Sequence, residues 1–212
     1  HPLAPAVGTQ IPSHFGHCFG CGQLHPTGLH LVARAGTALD LTAEFTVTEN
    51  HQGAPGLAHG GLLSLAFDEA LGKLMWLIRS PAVTGRLETD FMKPVPIGTT
   101  LHISAQITGQ VKRKVYTEAI GRLNGPDGDI AVRAAALFVI VPLSHFMSNA
   151  PAEYLEHIKK SPELAKEIKN SGKELYVWTV DSTQDLQYCA SVGVDIVMTN
   201  RPAHARSVLG YS

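Results

Sequence analysis

The hydrophobic and polar positions of the first 150 residues predict strands arranged around one apolar helix. Strand-like runs occupy residues 29–33, 39–47, 83–95, 101–108 continued by 115–123, and 130–141. Where apolar and polar residues alternate, as from Leu101 to Thr108, the pattern indicates a half-buried strand. Residues 60–78 differ, because their apolar positions cover every face of a helix and so predict a buried helix. Together they predict an α+β fold in which a curved antiparallel sheet wraps a long central helix.

The remainder of the chain, residues 151–212, carries a different pattern. Predicted elements there are a helix over 151–169, short strands over 175–180 and 194–199, and helices over 182–192 and 203–209. A strand–helix–strand–helix order is typical of parallel βα units. Composition also changes, since residues 1–150 hold 17 of the 20 glycines and four lysines, whereas residues 151–212 hold five lysines. We therefore expect a domain boundary near residue 150.

Composition excludes several classes of protein. The formal net charge is −1, so the sequence predicts no nucleic-acid partner. A hydrophobic share of 44% with 17% charged residues is typical of a chain that buries a core. No apolar run reaches the roughly 18 to 20 residues of a membrane helix, and the first residues lack a signal-peptide pattern. Three cysteines argue against a disulfide framework, and a cytoplasmic location is expected.

The most informative stretch is residues 52–61, which read Gln-Gly-Ala-Pro-Gly-Leu-Ala-His-Gly-Gly and open directly into the apolar helix. The start of a helix offers unpaired backbone N–H groups and the positive end of the helix dipole. Glycines allow a substrate to approach that backbone closely. Gly60 and Gly61 are therefore suited to bind a carbonyl oxygen and to stabilise the oxyanion that develops on it.

Asp68 lies on the same helix, two turns after Gly60. Its helical stripe contains no cation, and consists of Gly61, Ser64, Gly72 and Met75. An unpaired carboxylate on a buried helix is costly, which favours a functional role for Asp68. The adjacent Glu69 has Lys73 four residues later, so this pair is expected to be a solvated ion pair.

Three of these residues also have structural interpretations. Asp68 could be satisfied by the backbone or by Ser64, and His59 could cap the helix or belong to the core. Thr84, at the beginning of the strand after the helix, could orient a water molecule or the carboxylate, or could be an ordinary strand residue.

The sequence Cys18-Phe19-Gly20-Cys21-Gly22 raises the question of a zinc site. Zinc needs four ligands, and no second pair follows at a suitable spacing, while His14, His17 and His25 are irregularly placed. We therefore expect a tight turn that packs on the helix, and no metal.

Basic residues form one short run, Lys112-Arg113-Lys114, which we group with Lys93 and Arg34. Such a group suits a nucleotide phosphate, although it is equally typical of a solvated strand end.

With these motifs in view, residues 14–147 resemble the hotdog-fold acyl-CoA thioesterases of the phenylacetyl-CoA thioesterase type. The resemblance rests on motifs in a fixed order: Cys18 to Gly22 ahead of Gly28-Leu29, residues 52–61, Asp68 nine residues after His59, and Thr84 followed by Asp90-Phe91-Met92-Lys93-Pro94-Val95. It implies a homodimer, or a dimer of dimers, whose active sites lie across the subunit interface. No cofactor is implied, because coenzyme A is part of the substrate.

The resemblance also implies roles for particular residues. Asp68 would be the catalytic carboxylate, assisted by Thr84, while His59 and the amides of Gly60 and Gly61 would place and polarise the thioester. Residues expected to bind the substrate are Gln52, Gly56, Lys93, Lys112, Arg113 and Lys114. One position departs from the pattern: many relatives carry an asparagine where this chain has Gly53, so its role passes to Gln52 or His51, or is absent.

Residues 165–212 resemble the last two βα units of a glycerophosphodiester phosphodiesterase barrel, through residues 178–181 and 193–202. The metal-binding and acid–base residues of that family lie in earlier strands, so the resemblance implies no activity here. A fragment of an eight-stranded barrel cannot bury its own strands. We therefore expect a fusion, an engineered chimera or a docking segment, with a thioesterase domain over 1–147, a spacer helix over 148–164, and the barrel-like segment over 165–212.

The first functional hypothesis is hydrolysis of a fatty or aryl acyl-CoA thioester to free acid and CoA. Asp68 would act as a general base on water or as a nucleophile, and the sequence leaves both open. The alternative is a hotdog module that binds acyl-CoA without cleaving it, which the glycine at position 53 favours. A third hypothesis places the function in the C-terminal segment, as a phosphodiester-binding or oligomerising element.

Overall fold

A computed structural model describes residue 1 and residues 4–142, 144–147, 169–170, 174–177 and 180–210. The chain divides into two compact units, His1–Leu143 and Ser144–Ser212. The predicted spacer helix over 148–164 lies outside the described residues, as does nearly all of the helix predicted over 151–169. The division into parts 1–147, 148–164 and 165–212 therefore stays a prediction.

The first unit is built on a seven-stranded antiparallel sheet. Its strands are β1 (Gln10–Ile11), β2 (Val32–Ala35), β3 (Asp40–Thr46), β6 (Ala82–Phe91), β7 (Thr100–Val111), β8 (Lys114–Leu123) and β9 (Ile130–Ile140). Their order across the sheet is β1-β2-β3-β7-β8-β9-β6. Two short strands, β4 (Gln52–Ala54) and β5 (Leu57–Ala58), pair separately, and a 3-10 turn over Glu49–His51 precedes them.

The apolar segment forms helix α1 (Gly60–Lys73) and a short helix α2 (Met75–Ile78). The predicted single helix over 60–78 is interrupted at Leu74, whose N–H bonds to the carbonyl of Leu71, only three residues earlier. Helix α1 packs against strands β6 to β9. This packing is close, because a Cβ atom at Gly121 of β8 would lie 2.7 Å from the ring of Phe67. The predicted long helix against an antiparallel sheet is thus confirmed.

One face of α1 is not buried, contrary to the expectation of a helix enclosed on all sides. Gly61 is exposed, and Ser64, Leu65 and Asp68 are half-buried. The opposite face is fully covered by the sheet, through Leu63, Ala66, Phe67, Ala70 and Leu71. A single chain therefore leaves the side of the helix that carries Asp68 partly open.

Strand β6 lies at the edge of the sheet. Its ten residues pair with β9 on one side, and the described residues provide no strand on the other. The strand ends at Phe91, short of the predicted end at Val95, where the N–H groups of Met92 and Lys93 both donate to the carbonyl of Ala131 and the regular ladder stops. Phe91 and Met92 at this end are 53% and 58% exposed.

The second unit contains the predicted strand–helix–strand–helix order. Its elements are α3 (Ser144–Met147), β10 (Tyr176–Val177), α4 (Thr183–Ser191), β11 (Ile196–Val197) and α5 (Pro202–Leu209). Strands β10 and β11 are parallel, as predicted, and Ser182 caps α4 through its hydroxyl. A small core of Val180, Leu186, Cys189 and Ala205 holds the unit together. In the described part of either unit, no helix is both long and apolar enough to span a bilayer.

Candidate active site on helix α1

Asp68 and Thr84 meet on the open side of helix α1. The hydroxyl of Thr84 donates a hydrogen bond of 2.7 Å to Oδ1 of Asp68. No basic side chain pairs with Asp68 within the described ranges. The structure therefore brings these two predicted residues together and leaves Oδ2 of the carboxylate free of any protein partner among the residues it describes.

The sheet register explains why Thr84 faces the helix. Thr84 pairs with Phe138 of β9, which in turn pairs with Val115 of β8. Directly paired residues of antiparallel strands point to the same face, and both Phe138 and Val115 are buried under α1. A bulge between Thr84 and Arg86 then shifts the register at Gly85. Thr84 thus lies directly before the bulge, on the face of β6 that is turned toward Asp68.

His59 is the N-cap residue of α1. Its Nδ1 atom accepts a hydrogen bond of 2.9 Å from the N–H of Gly61. This is the capping role that the sequence left open, and it occupies one of the two amides expected to bind an oxyanion. Because Nδ1 is an acceptor, the proton of the neutral ring resides on Nε2, which remains able to donate.

The N–H of Gly60 is the amide that stays available at the helix start. Within the described residues, no acceptor is bonded to it. The ring of Phe91 lies beside Gly60, where a Cβ atom would be 3.4 Å from the ring edge. Of the predicted pair of amides, Gly60 therefore supplies the free donor.

Gln52 and Gly56 form a turn ahead of the helix. The side chain of Gln52 accepts from the N–H of Gly56 and donates to the carbonyl of Glu49, so both ends of its amide are occupied. Gly56 has a φ of 76°, a left-handed conformation that favours glycine. These contacts indicate that Gln52 and Gly56 shape the turn.

The glycine at position 53 also has a local explanation. A Cβ atom there would lie 2.7 Å from the Cα of His59, so no side chain fits without moving the cap. Neither candidate for the missing asparagine replaces it: Gln52 is tied into the turn, and His51 is buried with Nε2 unpaired in the described structure.

A shallow cleft of about 270 Å³ opens next to Gly60. Its apolar lining combines the end of β5, helix α1 and the segment after β6, through Leu57, Leu63, Phe91, Met92 and Val95. Lys93 also borders it, and its Nζ lies 2.7 Å from Asp129, which holds the pKa of that carboxyl below its ordinary value. The sequence reasoning missed Leu63 and Phe91, whose apolar character alone did not distinguish them from the core.

The basic residues that the sequence grouped do not come together within one chain. The N–H of Lys93 bonds to Ala131 at one end of β9, whereas Lys114 pairs with Val139 at the other. Eight residues of strand separate these positions, about 26 Å. Arg34 is further away in the sheet order, on β2. Lys112 and Arg113 form the exposed turn between β7 and β8, so only Lys93 lies at the cleft.

Glu69 occupies a different environment from the one expected. Its ion pair with Lys73, at 3.5 Å, is not solvated, because the side chains are 11% and 2% exposed. Lys73 also donates to the carbonyl of Pro12 at 2.7 Å. The loop with the two cysteines packs onto Glu69, as the predicted tight turn should, and Cys18 donates to its carboxylate at 3.4 Å. The expectation of a solvated pair was wrong because it considered only the helix and not the loop that covers it.

Three titratable groups beside Glu69 have shifted pKa values. The hydrogen bond to Cys21 raises the pKa of His14 above its ordinary value. Burial raises the pKa of Cys18 to about 11. Burial opposes ionisation of Cys21 as well, but hydrogen bonds to His14 and Ser13 outweigh it, so the pKa of Cys21 lies below its ordinary value. The contact between His14 and Cys21 thus stabilises the charged form of each group relative to its neutral form.

Comparison with protein families finds two matches. The model of the thioesterase superfamily matches residues 55–126, which include Asp68 and Thr84. The model of the glycerophosphoryl diester phosphodiesterase family matches residues 109–204. Residues 109–140 of the second match lie in antiparallel strands of the large sheet, whereas a barrel of this kind has parallel strands. The resemblance of the C-terminal segment to that family is nevertheless confirmed.

Two curated relatives carry thioesterase names. The acyl-coenzyme A thioesterase THEM4 of Xenopus laevis is 28% identical over 88 residues, which are 42% of this chain and 39% of the relative. The acyl-coenzyme A thioesterase THEM5 of Mus musculus is 31% identical over 71 residues, or 34% of this chain and 29% of the relative. The matched part of the chain therefore spans well under half the length of these relatives.

Solved structures share the fold of the first unit. A thioesterase superfamily protein superposes with a TM-score of 0.54 at 26% identity, covering 65% of this chain and 70% of that one. The E. coli PaaI protein from the phenylacetic acid degradation operon superposes with a TM-score of 0.50 at 19% identity, covering 54% and 81%. These similarities confirm the predicted hotdog fold and the resemblance to thioesterases.

Proposed function

We propose that the first unit is an acyl-CoA thioesterase that hydrolyses a fatty or aryl acyl-CoA to the free acid and CoA. The observation that carries this proposal is the Asp68 carboxylate, held by Thr84 and without a cation among the described residues. An apolar cleft beside the helix start suits an acyl chain. Similarity to proteins named acyl-coenzyme A thioesterases supports the choice of substrate.

Asp68 performs the central step in one of two ways. As a general base, it takes a proton from the water whose oxygen attacks the carbonyl carbon. As a nucleophile, it attacks the carbonyl itself and forms an anhydride, which water then hydrolyses. In both, the C–S bond breaks, and the CoA sulfur leaves as a thiolate that takes up a proton. No cofactor beyond the CoA of the substrate is needed.

One chain does not place all of these groups around one carbonyl. Asp68 follows Gly60 by eight residues of α1, and a rise of about 1.5 Å per residue puts them about 12 Å apart. A reacting carbonyl needs both the attacking group and the oxyanion donor within about 3 Å. Asp68 of one chain would therefore act on a thioester held by Gly60 of a second copy, which requires a homodimer.

The edge strand β6 offers the means to form that dimer. Within the described ranges no strand pairs with its outer side, and such an edge readily pairs with a second copy. Thr84 lies on this strand, so pairing of two β6 strands would bring the open faces of two α1 helices close together. Lys93 borders the cleft and would exchange its pair with Asp129 for a phosphate of CoA.

The activity is tested by measuring free thiol released from a panel of fatty and aryl acyl-CoAs of different sizes. We expect saturable release of thiol by the wild-type chain, with a preference for one chain class. Binding of acyl-CoA at saturating concentration with no thiol released from any member of the panel would instead identify a non-catalytic binding module, the alternative that Gly53 and the capped amide of Gly61 favour.

Shared active sites are tested by mixing two inactive variants. Asp68→Asn lacks the carboxylate and Gly60→Pro lacks the amide donor, so a hybrid dimer contains one intact site. We expect co-expression of the two variants to restore part of the activity that each lacks alone. If the mixture stays inactive although differently tagged copies of the two variants co-purify as hybrid dimers, each chain must contain a complete site.

A further inference from the structure

Four metal-binding side chains converge on the side of helix α1 that faces away from Thr84. His14, Cys18, Cys21 and Glu69 each place one donor atom within 4.8 Å of the other three. Sγ of Cys18 lies 3.4 Å from Oε2 of Glu69, and Sγ of Cys21 lies 3.5 Å from Nδ1 of His14. The same nitrogen of His14 lies 3.7 Å from Oε1 of Glu69.

The separations between Cys18 and Glu69 and between Cys21 and His14 match edges of a tetrahedral zinc centre, and all four donors lie within 4.8 Å of one another. With Zn–S bonds of about 2.3 Å and Zn–N or Zn–O bonds of about 2.0 to 2.2 Å, neighbouring ligand atoms are about 3.4 to 3.8 Å apart. Two thiolates with an imidazole form a soft donor set, which selects zinc over magnesium or calcium. We propose that His14, Cys18, Cys21 and Glu69 bind one structural Zn²⁺ ion.

The loop that carries the cysteines is shaped to reach Glu69. A Cβ atom at Gly20 would lie 2.5 Å from Oε2 of Glu69, so only glycine lets the loop come this close. A Cβ atom at Gly22 would lie 2.4 Å from the carbonyl oxygen of Gly16 and would open the turn that brings Cys18 and Cys21 together. The two glycines thus permit the close approach of the loop to the helix that also brings the four donor atoms together.

Lys73 balances the charge of the occupied site. Zn²⁺ displaces one proton from each of Cys18 and Cys21 to solvent, and two thiolates with the Glu69 carboxylate then carry three negative charges. The ion and the buried ammonium of Lys73, 3.5 Å from Glu69, supply three positive charges. A buried cluster without net charge is far less costly than one that keeps an uncompensated charge.

Four protein ligands leave no open position on the ion, which is typical of a structural site and not of a catalytic one. The ion would tether residues 14–21 to the helix that carries Asp68, on a different face from the carboxylate. Entry is possible from the side of His14, whose side chain is 52% exposed. This inference does not depend on the thioesterase proposal, because it concerns a separate set of residues.

Metal binding is tested with the full chain, purified under reducing conditions and stripped with a chelator. We expect one equivalent of zinc to bind in competition with a chromogenic chelator. Cobalt in its place should give the thiolate charge-transfer band and the intense visible bands of a tetrahedral site. Zinc should also protect Cys18 and Cys21, but not Cys189, from alkylation.

Matched variants locate the site. Cys18→Ser, Cys21→Ser and His14→Ala should each weaken zinc binding by more than about tenfold. Loss of a residue that only supports a metal ligand already weakens binding by at least about that factor. Cys189→Ser and His17→Ala, which keep all four donors, should bind as the wild type does. The proposal is overturned if zinc binds equally well without the two cysteines, if cobalt gives only octahedral bands, or if the cysteines form a disulfide and the reduced chain binds no metal.

Discussion

Asp68 and Glu69 are consecutive carboxylates on one helix, yet their surroundings differ in every respect. Asp68 is half-buried, accepts from the neutral hydroxyl of Thr84 and lies on the open side of α1. Glu69 is nearly covered, pairs with the buried Lys73 and accepts from Cys18. Consecutive residues of a helix point about 100° apart, so one faces strand β6 and the other faces the N-terminal loop.

This comparison shows that a fold can give two adjacent carboxylates of one helix different partners and different burial. A carboxylate compensated by a buried ammonium is held in place and is a poor base. A carboxylate that accepts a single hydrogen bond from a hydroxyl keeps a lone pair available for water or for a carbonyl carbon. Under the proposed function, the charge partner and not the residue type determines which of the two acids takes part in catalysis.

The largest expected effect is on kcat, and it distinguishes Asp68 from Glu69. Asp68→Asn should lower kcat for acyl-CoA hydrolysis by about 10² to 10⁴-fold, because a positioned base or nucleophile is lost. KM should change little, since the carboxylate does not hold the CoA. Glu69→Gln is the matched control, and its kcat should remain close to that of the wild type. Equal losses in the two variants, measured by thiol release, would show that the faces are not functionally separate.

The next largest effect on kcat is expected from the loss of the proposed oxyanion donor, the N–H of Gly60. Gly60 is the first residue of α1, where proline is well tolerated, and the preceding His59 has an extended backbone that a following proline favours. Gly60→Pro should therefore remove the N–H without unfolding the helix, and lower kcat by about 10² to 10³-fold. Gly60→Ala keeps the N–H and should retain most of the activity. Similar kcat values for the two variants would exclude this amide as the donor.

On the Glu69 face, the expected effect is on stability. Lys73→Met leaves a buried carboxylate without its cation, which should lower the free energy of unfolding by about 3 kcal/mol. Denaturation by urea measures this loss. Lys93→Met, which removes an exposed pair with Asp129, should change the stability little. An equally small effect of Lys73→Met would mean that Glu69 is not held by its ammonium.

A smaller effect tests the contact between Thr84 and Asp68. Thr84→Val keeps the shape of the side chain and removes the hydrogen bond, so kcat should fall by about tenfold, or roughly 1.5 kcal/mol. Thr89→Val, a second threonine of β6, is the control and should leave kcat unchanged. If both valine variants turn over as the wild type does, Thr84 does not position the carboxylate.

Much of the fold could be predicted from periodicity. The strands from Leu101 to Ile140 alternate clearly, and the turn at Asn124–Gly128 has strong sequence signals. Errors arose where tertiary context decides the outcome. The helix over 60–78 breaks at Leu74, and its face with Gly61, Ser64 and Asp68 stays partly open. The position of β6 at the edge of the sheet leaves no mark on the hydrophobic pattern of the chain.

Only part of the candidate site could be predicted from the sequence, again because tertiary context decides the positions of the other residues. Asp68, Thr84 and Gly60 are recognisable because their local motif determines their positions. Lys93 and Lys114, which the sequence grouped, lie at opposite ends of β9 within one chain because the strand register separates them. The fourth donor of the proposed zinc site was not found from sequence spacing, since Glu69 lies 51 residues from Cys18 and meets it only through packing.

The central claim, that Asp68 hydrolyses the thioester, is tested most directly by a single-turnover measurement. With Asp68→Asn in excess over an acyl-CoA that the wild type cleaves, neither substrate binding nor product release limits the rate of thiol formation. We predict that the complex forms with the affinity of the wild type and that thiol appears at least about 10²-fold more slowly. Thiol formation at the wild-type rate would contradict the account.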